Sequence, residues 1–386
     1  MSKKPELHKT KKDPELFYYF TAKKEKRWMF RHRYYDALGN RREKSRQSFT
    51  KENEAYRELL EVRIAISNGD TKEVENSNIT VSEWLDIWYE TKHVGWEITT
   101  RTDRKRFIED IFKPNIGKYK LAKLDGMTYE REFINKLLKS YSSGTVKLYH
   151  NIFRIAVNTA VTNKVIKENN IAHITVPDKS KKLDNFLSQS ELNTLLTATK
   201  KQSSFTMSTL ILFIANTGVR KGEAHSLRWR DIDFENKTIK IEWTRDEHGI
   251  RSPKTLNSYR TIHVDDNTLN PLKEYKTWCK QKKLSNGEHL KEDDIIFISN
   301  RGGIPVCQNS INQALSSLIE KNGIKKITPH GLRHTHATIL LNRRVSVATV
   351  AKRLGNTAEE IHRTYGHSDE DADLQAVEIF SKVVNS

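Results

Sequence analysis

The sequence predicts a mainly α-helical, multidomain chain that carries small β-sheets. Three observations lead there. Strand-like alternation of apolar and basic residues is confined to the first fifty residues and to a stretch near 238–264, while helical periodicity fills most of the rest. Two polar stretches, 68–78 and 178–182, interrupt the periodic segments. A chain of 386 residues is long enough for two or three cores. The expected domains are 1–72, a small three-stranded sheet with one helix; 79–177, a helical unit; and 183–386, a mostly α unit with a small sheet.

The elements follow in order. Phe17-Tyr18-Tyr19-Phe20 predicts a first strand. From Trp28 to Tyr35, aromatic and apolar residues alternate with Arg27, Arg31 and Arg33, which predicts a second. Gly39-Asn40 marks a turn, and Arg41 to Phe49, with Arg42 and Arg46, returns as a third. Tyr56, Leu59, Leu60, Arg63 and Ile64 fall at helical spacing between Lys51 and Ser67. A sheet this small buries one face, and the other would present arginines and aromatics suited to phosphates. The alternative is a solvated charged hairpin.

The middle unit opens with Thr80-Val81-Ser82-Glu83, a capping-box pattern, ahead of Trp84, Leu85 and Trp88 on one helical face. Periodic stretches at 101–112, 130–138 and 144–162 continue it as helices, and it ends near Pro177. Ser188-Gln189-Ser190-Glu191 is a second capping box and starts the third unit. There an apolar helix from Phe205 to Asn216 is followed by strands at 238–243 and 259–264, with Lys254 in the turn region between them.

Composition narrows the function. Lys and Arg number 67 against 49 Asp and Glu, a net +18 that favours a polyanionic partner, of which nucleic acid is the commonest. The first 72 residues are the most basic region, with 19 Lys/Arg against 11 Asp/Glu. A membrane surface would attract such a chain too, but no apolar run approaches the ~20 residues of a spanning helix, and no signal-peptide core follows Met1. Cys279 and Cys307 are the only cysteines, which argues against a disulfide framework and a thiolate-rich zinc site. His330, His334 and His336 lack an evident acidic or thiolate complement, so no metal site is expected.

Four segments of the third unit form an ordered series: Thr217-Gly218-Val219-Arg220-Lys221-Gly222-Glu223, Pro253-Lys254-Thr255, His330-Gly331-Leu332-Arg333-His334, and Leu354-Gly355-Asn356 leading to Thr364-Tyr365. Together they resemble the tyrosine recombinase (phage integrase) family. They look like its first-arginine motif, its β-hairpin lysine, its H-x-L-R-H box and its nucleophile region. The resemblance covers roughly Leu183 to Val384, and the basic hairpin and helical middle unit match the arm-binding and core-binding domains by arrangement.

The residue types suit attack on a phosphodiester. Two planar guanidinium forks, Arg220 and Arg333, can hold the charge that builds on the non-bridging oxygens. His330 and Arg333 stand three residues apart on one helical face and can meet the same phosphate. A tyrosine needs a base or a positive field to become a nucleophile, and His330 is the candidate proton handler. The resemblance implies that Tyr365 attacks, that Lys254 protonates the leaving 5′-oxygen, and that a 3′-phosphotyrosine link conserves bond energy without ATP or a catalytic metal. No P-loop pattern is present, and no cofactor is expected. Glu223, one turn beyond Arg220, is expected either to orient His330 or an arginine or to form a plain ion pair. Where the family usually has His or Trp after Leu-Gly, this chain has Asn356, whose amide can also donate. Thr357 and Glu360 then form a capping pattern that opens a helix toward Tyr365. His362 is a second candidate for the donor that Asn356 replaces.

The implied partners are double-stranded DNA at attachment sites, a homo-tetramer on paired sites, a directionality factor and a host DNA-bending protein. The implied location is the cytoplasm of a bacterial host, with the nucleoid. A short amphipathic tail with Ala376, Val377, Phe380, Val383 and Val384 follows, to cover its own domain or to dock on a neighbour. Three competing readings are a chromosome-dimer-resolving recombinase, a DNA-binding regulator without chemistry, and a type IB topoisomerase.

Overall fold

The computed structural model describes residues 5–35, 39–67, 78–177, 185–201, 204–253, 255–365 and 381. It divides into two compact units, Met1–Lys181 and Lys182–Ser386.

The first unit begins with an antiparallel sheet in the order β1 (His8–Lys9), β2 (Leu16–Phe20), β3 (Lys26–Tyr35), β4 (Arg41–Phe49). The three expected strands are there, and β1 adds a fourth. Two residues are too few to leave a periodic signal; β1 is held by pairing His8 with Tyr18, whose rings stack at 5.0 Å. Helix α1 (Glu52–Ser67) covers one face, where Leu16, Phe30, Ala55 and Leu59 are fully buried. The Arg63 fork anchors α1 to the loop before β2 through Asp13 (2.7 and 2.9 Å) and Glu15 (2.6 Å), and Glu15 also meets His32 at 2.7 Å.

Helices α2 (Val81–Lys92), α3 (Ile98–Phe107) and α4 (Ser143–Thr162) frame the helical part of this unit. The Thr80–Glu83 capping box forms with both reciprocal bonds. Beyond α3 the helix passes through a π turn, Ile108–Phe112, before Pro114. A proline cannot donate and its ring crowds the carbonyl four residues back, so Lys113 N–H reaches to the Ile108 carbonyl instead. Trp84, Trp88, Phe112, Tyr129, Phe133 and Phe153 build the core.

The second unit is organised around α6 (Phe205–Thr217), buried on nearly every side, which follows α5 (Gln189–Lys200) and its Ser188–Glu191 capping box. Around α6 pack α8 (Asp266–Ser285), α9 (Ser310–Lys321) and α10 (Pro329–Asn342). Short α7 (Lys221–Ser226) leads into the sheet. The expected strand pair appears as β6 (Thr238–Ile241) against β9 (Arg260–His263), with β5 (Ile232–Asp233) on the far edge of β6. Part of the expected turn region is itself a hairpin, β7 (Thr244–Asp246) with β8 (Gly249–Arg251). Helices α11 (Val347–Leu354) and α12 (Ala358–Tyr365) complete the described chain but for residue 381. Almost all of the expected 68–78 linker, the whole 178–182 linker and, apart from Ser381, the expected tail lie outside the described residues. Among the described residues no helix is long and apolar enough to cross a membrane.

Candidate active site

Two helices end in left-handed glycines, and each glycine delivers a key residue. Gly218 caps α6 at φ 68°, and a Cβ there would lie 2.7 Å from Leu354 Cδ2 and 2.8 Å from His336 Cδ2. Gly355 caps α11 at φ 67°, and a Cβ there would meet Arg260 Nη1 at 2.8 Å. Only glycine takes this backbone without strain and permits so close an approach. Arg220 follows the first turn and Asn356 the second.

The carbonyls freed at these helix ends are met by arginines. Arg333, on the first turns of α10 and 2% exposed, donates from Nη1 to Gly218 O (3.0 Å) and from Nη2 to Leu354 O (2.7 Å). Arg220 donates from Nη2 to Gly355 O (3.1 Å). A cation at a helix C-terminus is favourable, and here it also satisfies acceptors the helix cannot. The forks are thereby fixed before any ligand arrives.

Both guanidiniums then converge on one oxygen. Asn356 Oδ1 accepts from Arg220 Nη2 at 2.5 Å and from Arg333 Nη2 at 2.8 Å. Only the oxygen end of the amide can face two donors, so its orientation follows from chemistry. An anionic oxygen in this position would receive two charge-assisted hydrogen bonds.

Beneath Arg220 lies Glu223, 2% exposed. It caps its own helix by accepting the Arg220 backbone N–H (2.8 Å) and pairs with Arg220 Nη1 (2.9 Å). The Arg260 fork grips it from the other side at 2.8 and 3.1 Å. Burial alone would raise this carboxyl, but the bonds and charge of Arg260, then the charge of Arg220, outweigh it and hold the group below its ordinary value. Glu223 is therefore a buried anion shared by two cations, and of the expected alternatives the arginine partner is the one found.

His330 stands at the start of α10, its ring edge-on to His334 at 4.4 Å. Crowding by surrounding protein, then the charges of His334, Arg333 and Arg220, pushes it down to about 4, although its surface stays open to solvent. Crowding and positive charge thus favour its neutral form, the form in which a ring nitrogen can accept a proton. His336 is the reverse case, turned inward: Nε2 accepts from Arg353 Nε (3.1 Å), so Nδ1 carries the hydrogen and donates to Ala215 O (3.1 Å).

The chain matches known proteins over most of its length. The phage integrase family model matches residues 185–372, the phage integrase N-terminal SAM-like domain 80–138, and the arm DNA-binding domain 17–66. The chain belongs to the phage integrase family of tyrosine recombinases. The integrase of Staphylococcus phage L54a is 29% identical over 355 residues, covering 84% of this chain and 99% of its own. A XerC-like tyrosine recombinase of Caldanaerobacter subterraneus is 25% identical over 80% of this chain and 83% of its own. The fold is that of the Tn1549 transposon integrase in complex with a circular intermediate DNA, at 19% identity, TM-score 0.69, covering 78% of this chain and 99% of that one. A lambda integrase tetramer bound to a Holliday junction aligns with TM-score 0.58 and 16% identity over 90% of this chain and 97% of its own.

In this recombinase the expected residues Arg220, Glu223, His330, Arg333 and Asn356 come together. Lys254 lies outside the described residues. Tyr365 ends α12, and its side chain lies outside them as well. The Thr357–Glu360 cap forms as expected, with bonds of 3.0 and 3.1 Å, while His362 is exposed on α12. Sequence reasoning missed Arg260 and Arg353. Arg260 left a signal: in β9 it shares the inward register with buried Ile262, and an arginine on an inward strand position needs a partner.

Pairing also sorts the six arginines expected on the N-terminal sheet. Strand alternation and register put Arg27, Arg31, Arg33 and Arg41 on the face away from α1, with Tyr19 and Tyr35. Arg42 and Arg46 stand opposite Tyr34 and Phe30 on the helix side, and Arg46 pairs with Glu58 of α1.

Proposed function

We propose that this tyrosine recombinase cuts and rejoins double-stranded DNA at attachment sites of a phage or mobile element, integrating and excising it, with Tyr365 as nucleophile. The observation that carries the reading is the convergence of Arg220 and Arg333 on the single oxygen of Asn356. A non-bridging oxygen of the scissile phosphate takes that place, and the amide then turns its Nδ2 toward the phosphate as a further donor. The Tyr365 oxygen attacks phosphorus, and its proton passes to neutral His330. The arriving anion opposes the positive field around His330 and raises its basicity. The phosphorus bond to the 5′-oxygen breaks as the 3′-phosphotyrosine bond forms, and Lys254 supplies the proton to the leaving oxygen. Attack by a 5′-hydroxyl of the partner strand reverses each step, so no external energy source enters.

The domains on this reading are 1–72, arm-type DNA binding; 79–177, core-type binding; and 183–386, catalysis. Four arginines on one face of the N-terminal sheet support the first assignment. A tetramer on paired sites, a directionality factor and a host DNA-bending protein complete the working form, in the bacterial cytoplasm with the nucleoid. The catalytic unit carries a groove of about 1140 Å³ lined in part by Leu192, Leu196, Phe205, Leu212, Ile339 and Leu340, an apolar seat compatible with an amphipathic tail.

The test uses duplex DNA from the junctions flanking the gene as substrate. A protein–DNA adduct that survives denaturation and vanishes in Tyr365→Phe is the expected result. An adduct that persists in that variant moves the nucleophile elsewhere. Tight binding without an adduct in either protein favours the regulator reading.

A further inference from the structure

The Arg260 side chain is 5% exposed, and it touches three separate segments of the catalytic unit. Its Nη1 and Nη2 hold both oxygens of Glu223. Its Nε donates to Arg353 O at 2.7 Å, two residues before Gly355, and Nη1 also donates to Ser258 O at 2.9 Å. Those carbonyls belong to the last turn of α11 and to the stretch that joins Lys254 to β9. One guanidinium thus ties the Arg220 helix, the Asn356 turn and the strand after the lysine.

We propose that Arg260 is a positioning residue for cleavage, acting through Glu223 on Arg220. The inference rests on the reading of the site given above. Glu223 offers two oxygens, and Arg220 uses one of them through Nη1 and the other through its backbone N–H. While Arg260 holds the carboxylate square to itself, Arg220 keeps Nη2 aimed at the Asn356 oxygen. Without that hold the buried carboxylate has Arg220 as its only remaining cation among the described residues, and it draws the Arg220 fork off the phosphate position. A misplacement of about 1 Å at a reacting centre costs on the order of 100-fold in rate. A lysine here keeps the charge, but its donors all sit on one nitrogen, so it cannot reach both carboxylate oxygens and two carbonyls together.

The experiment is a double-mutant cycle on the full-length chain with Arg260→Lys, Arg220→Ala and the double variant. Three quantities are read: the single-turnover rate of the Tyr365 adduct on nicked attachment-site duplex at saturating protein, the half-saturation for the same duplex, and the melting temperature. Arg260→Lys is expected to slow adduct formation about 10- to 100-fold while half-saturation changes less than about 2-fold. In the Arg220→Ala background it is expected to add less than about 2-fold, because the residue it acts through is gone. Arg260→Gln, with an amide donor toward Glu223 and no charge, gives the same cycle where the lysine variant melts below the assay temperature. Equal penalties in both backgrounds, or binding that falls in step with cleavage, overturn the inference while the Tyr365 adduct leaves the site reading intact. Absence of any wild-type adduct overturns the site reading and this inference with it.

Discussion

Arg333 and Arg260 are 2% and 5% exposed and each donates to several fixed acceptors, whereas the side chains of Arg31 and Arg33 on the N-terminal sheet are 44% and 60% exposed and share the single carboxylate of Glu43. The residue type is the same and the physics is opposite. A buried guanidinium is costly to desolvate unless its donors are met, so the fold that meets them also fixes the fork. That rigidity is what a transition state requires. An exposed guanidinium costs little to place, keeps its freedom, and binds a polyanion mainly by displacing counterions. The candidate site holds arginine in fixed geometry, and the open face of the N-terminal sheet presents it as exposed charge.

The contrast makes a series of expected outcomes. Arg333→Ala is expected to lower the adduct rate about 1000-fold and to destabilise the unit by roughly 3 kcal/mol, since Gly218 O, Leu354 O and Asn356 all lose a donor. Adduct trapping and a denaturant melt check both numbers. A loss no larger than that of a sheet arginine would end the distinction.

Acid should separate the two units next. His225 is fully buried with neither ring nitrogen partnered among the described residues, and burial, then the charges of Arg245 and Lys221, pushes it down to about 4. Burial, then Arg353, brings His336 to about 4 as well. Both stay neutral in the folded chain, while the unfolded chain binds protons below the ordinary 6.5. Their stability contribution is complete above that value and is lost as pH falls toward 4, by about 2 kcal/mol per histidine at pH 5. In the first unit, burial opposes but His32 and Arg63 prevail in holding Glu15 below its ordinary 4.5, so its contribution persists to lower pH. Melts between pH 7 and 4.5, with one probe in each unit, should show the catalytic unit weakening more. That unit holds both His225 and His336 against the buried His150 of the first unit, which burial and Arg154 also push down.

Asn356→Asp would sharpen the contrast from within the site. A carboxylate between the two forks is expected to raise stability by about 1 kcal/mol and to slow adduct formation about 30-fold, because the phosphate must displace a charged competitor. A variant both less stable and as active as wild type would mean that the two arginines do not share that oxygen in solution. Smallest of all, Arg33→Ala is expected to leave stability within about 0.5 kcal/mol and to reduce the slope of log affinity against log salt by about 1 on arm-site DNA. Salt titrations by gel shift check it, and an unchanged slope would remove Arg33 from the contact.

Much of this was legible in the sequence for reasons that are local. The capping boxes at Thr80, Ser188 and Thr357 all form because a Ser/Thr and a Glu three residues apart satisfy each other's backbone without outside help. The β3 alternation from Trp28 to Tyr35 survives because one face meets a helix. Arg220, Glu223, His330 and Arg333 could be singled out because their motifs are contiguous. Less legible were β1, too short to have a period, and the β7–β8 hairpin inside an expected turn region.

What the sequence determined by itself was therefore most of the elements, their approximate bounds, and which charged groups stand near one another along the chain. The tertiary structure alone decided which groups meet across it: that Asn356 lies between Arg220 and Arg333, that Arg260 rather than His330 shares Glu223, and that Arg42 and Arg46 turn toward α1. The Arg220–Asn356 bond spans 136 positions and the Arg333–Gly218 bond 115. No period or motif reaches so far. Such pairs exist only once packed helices close those distances and burial makes an unpaired charge too costly to leave.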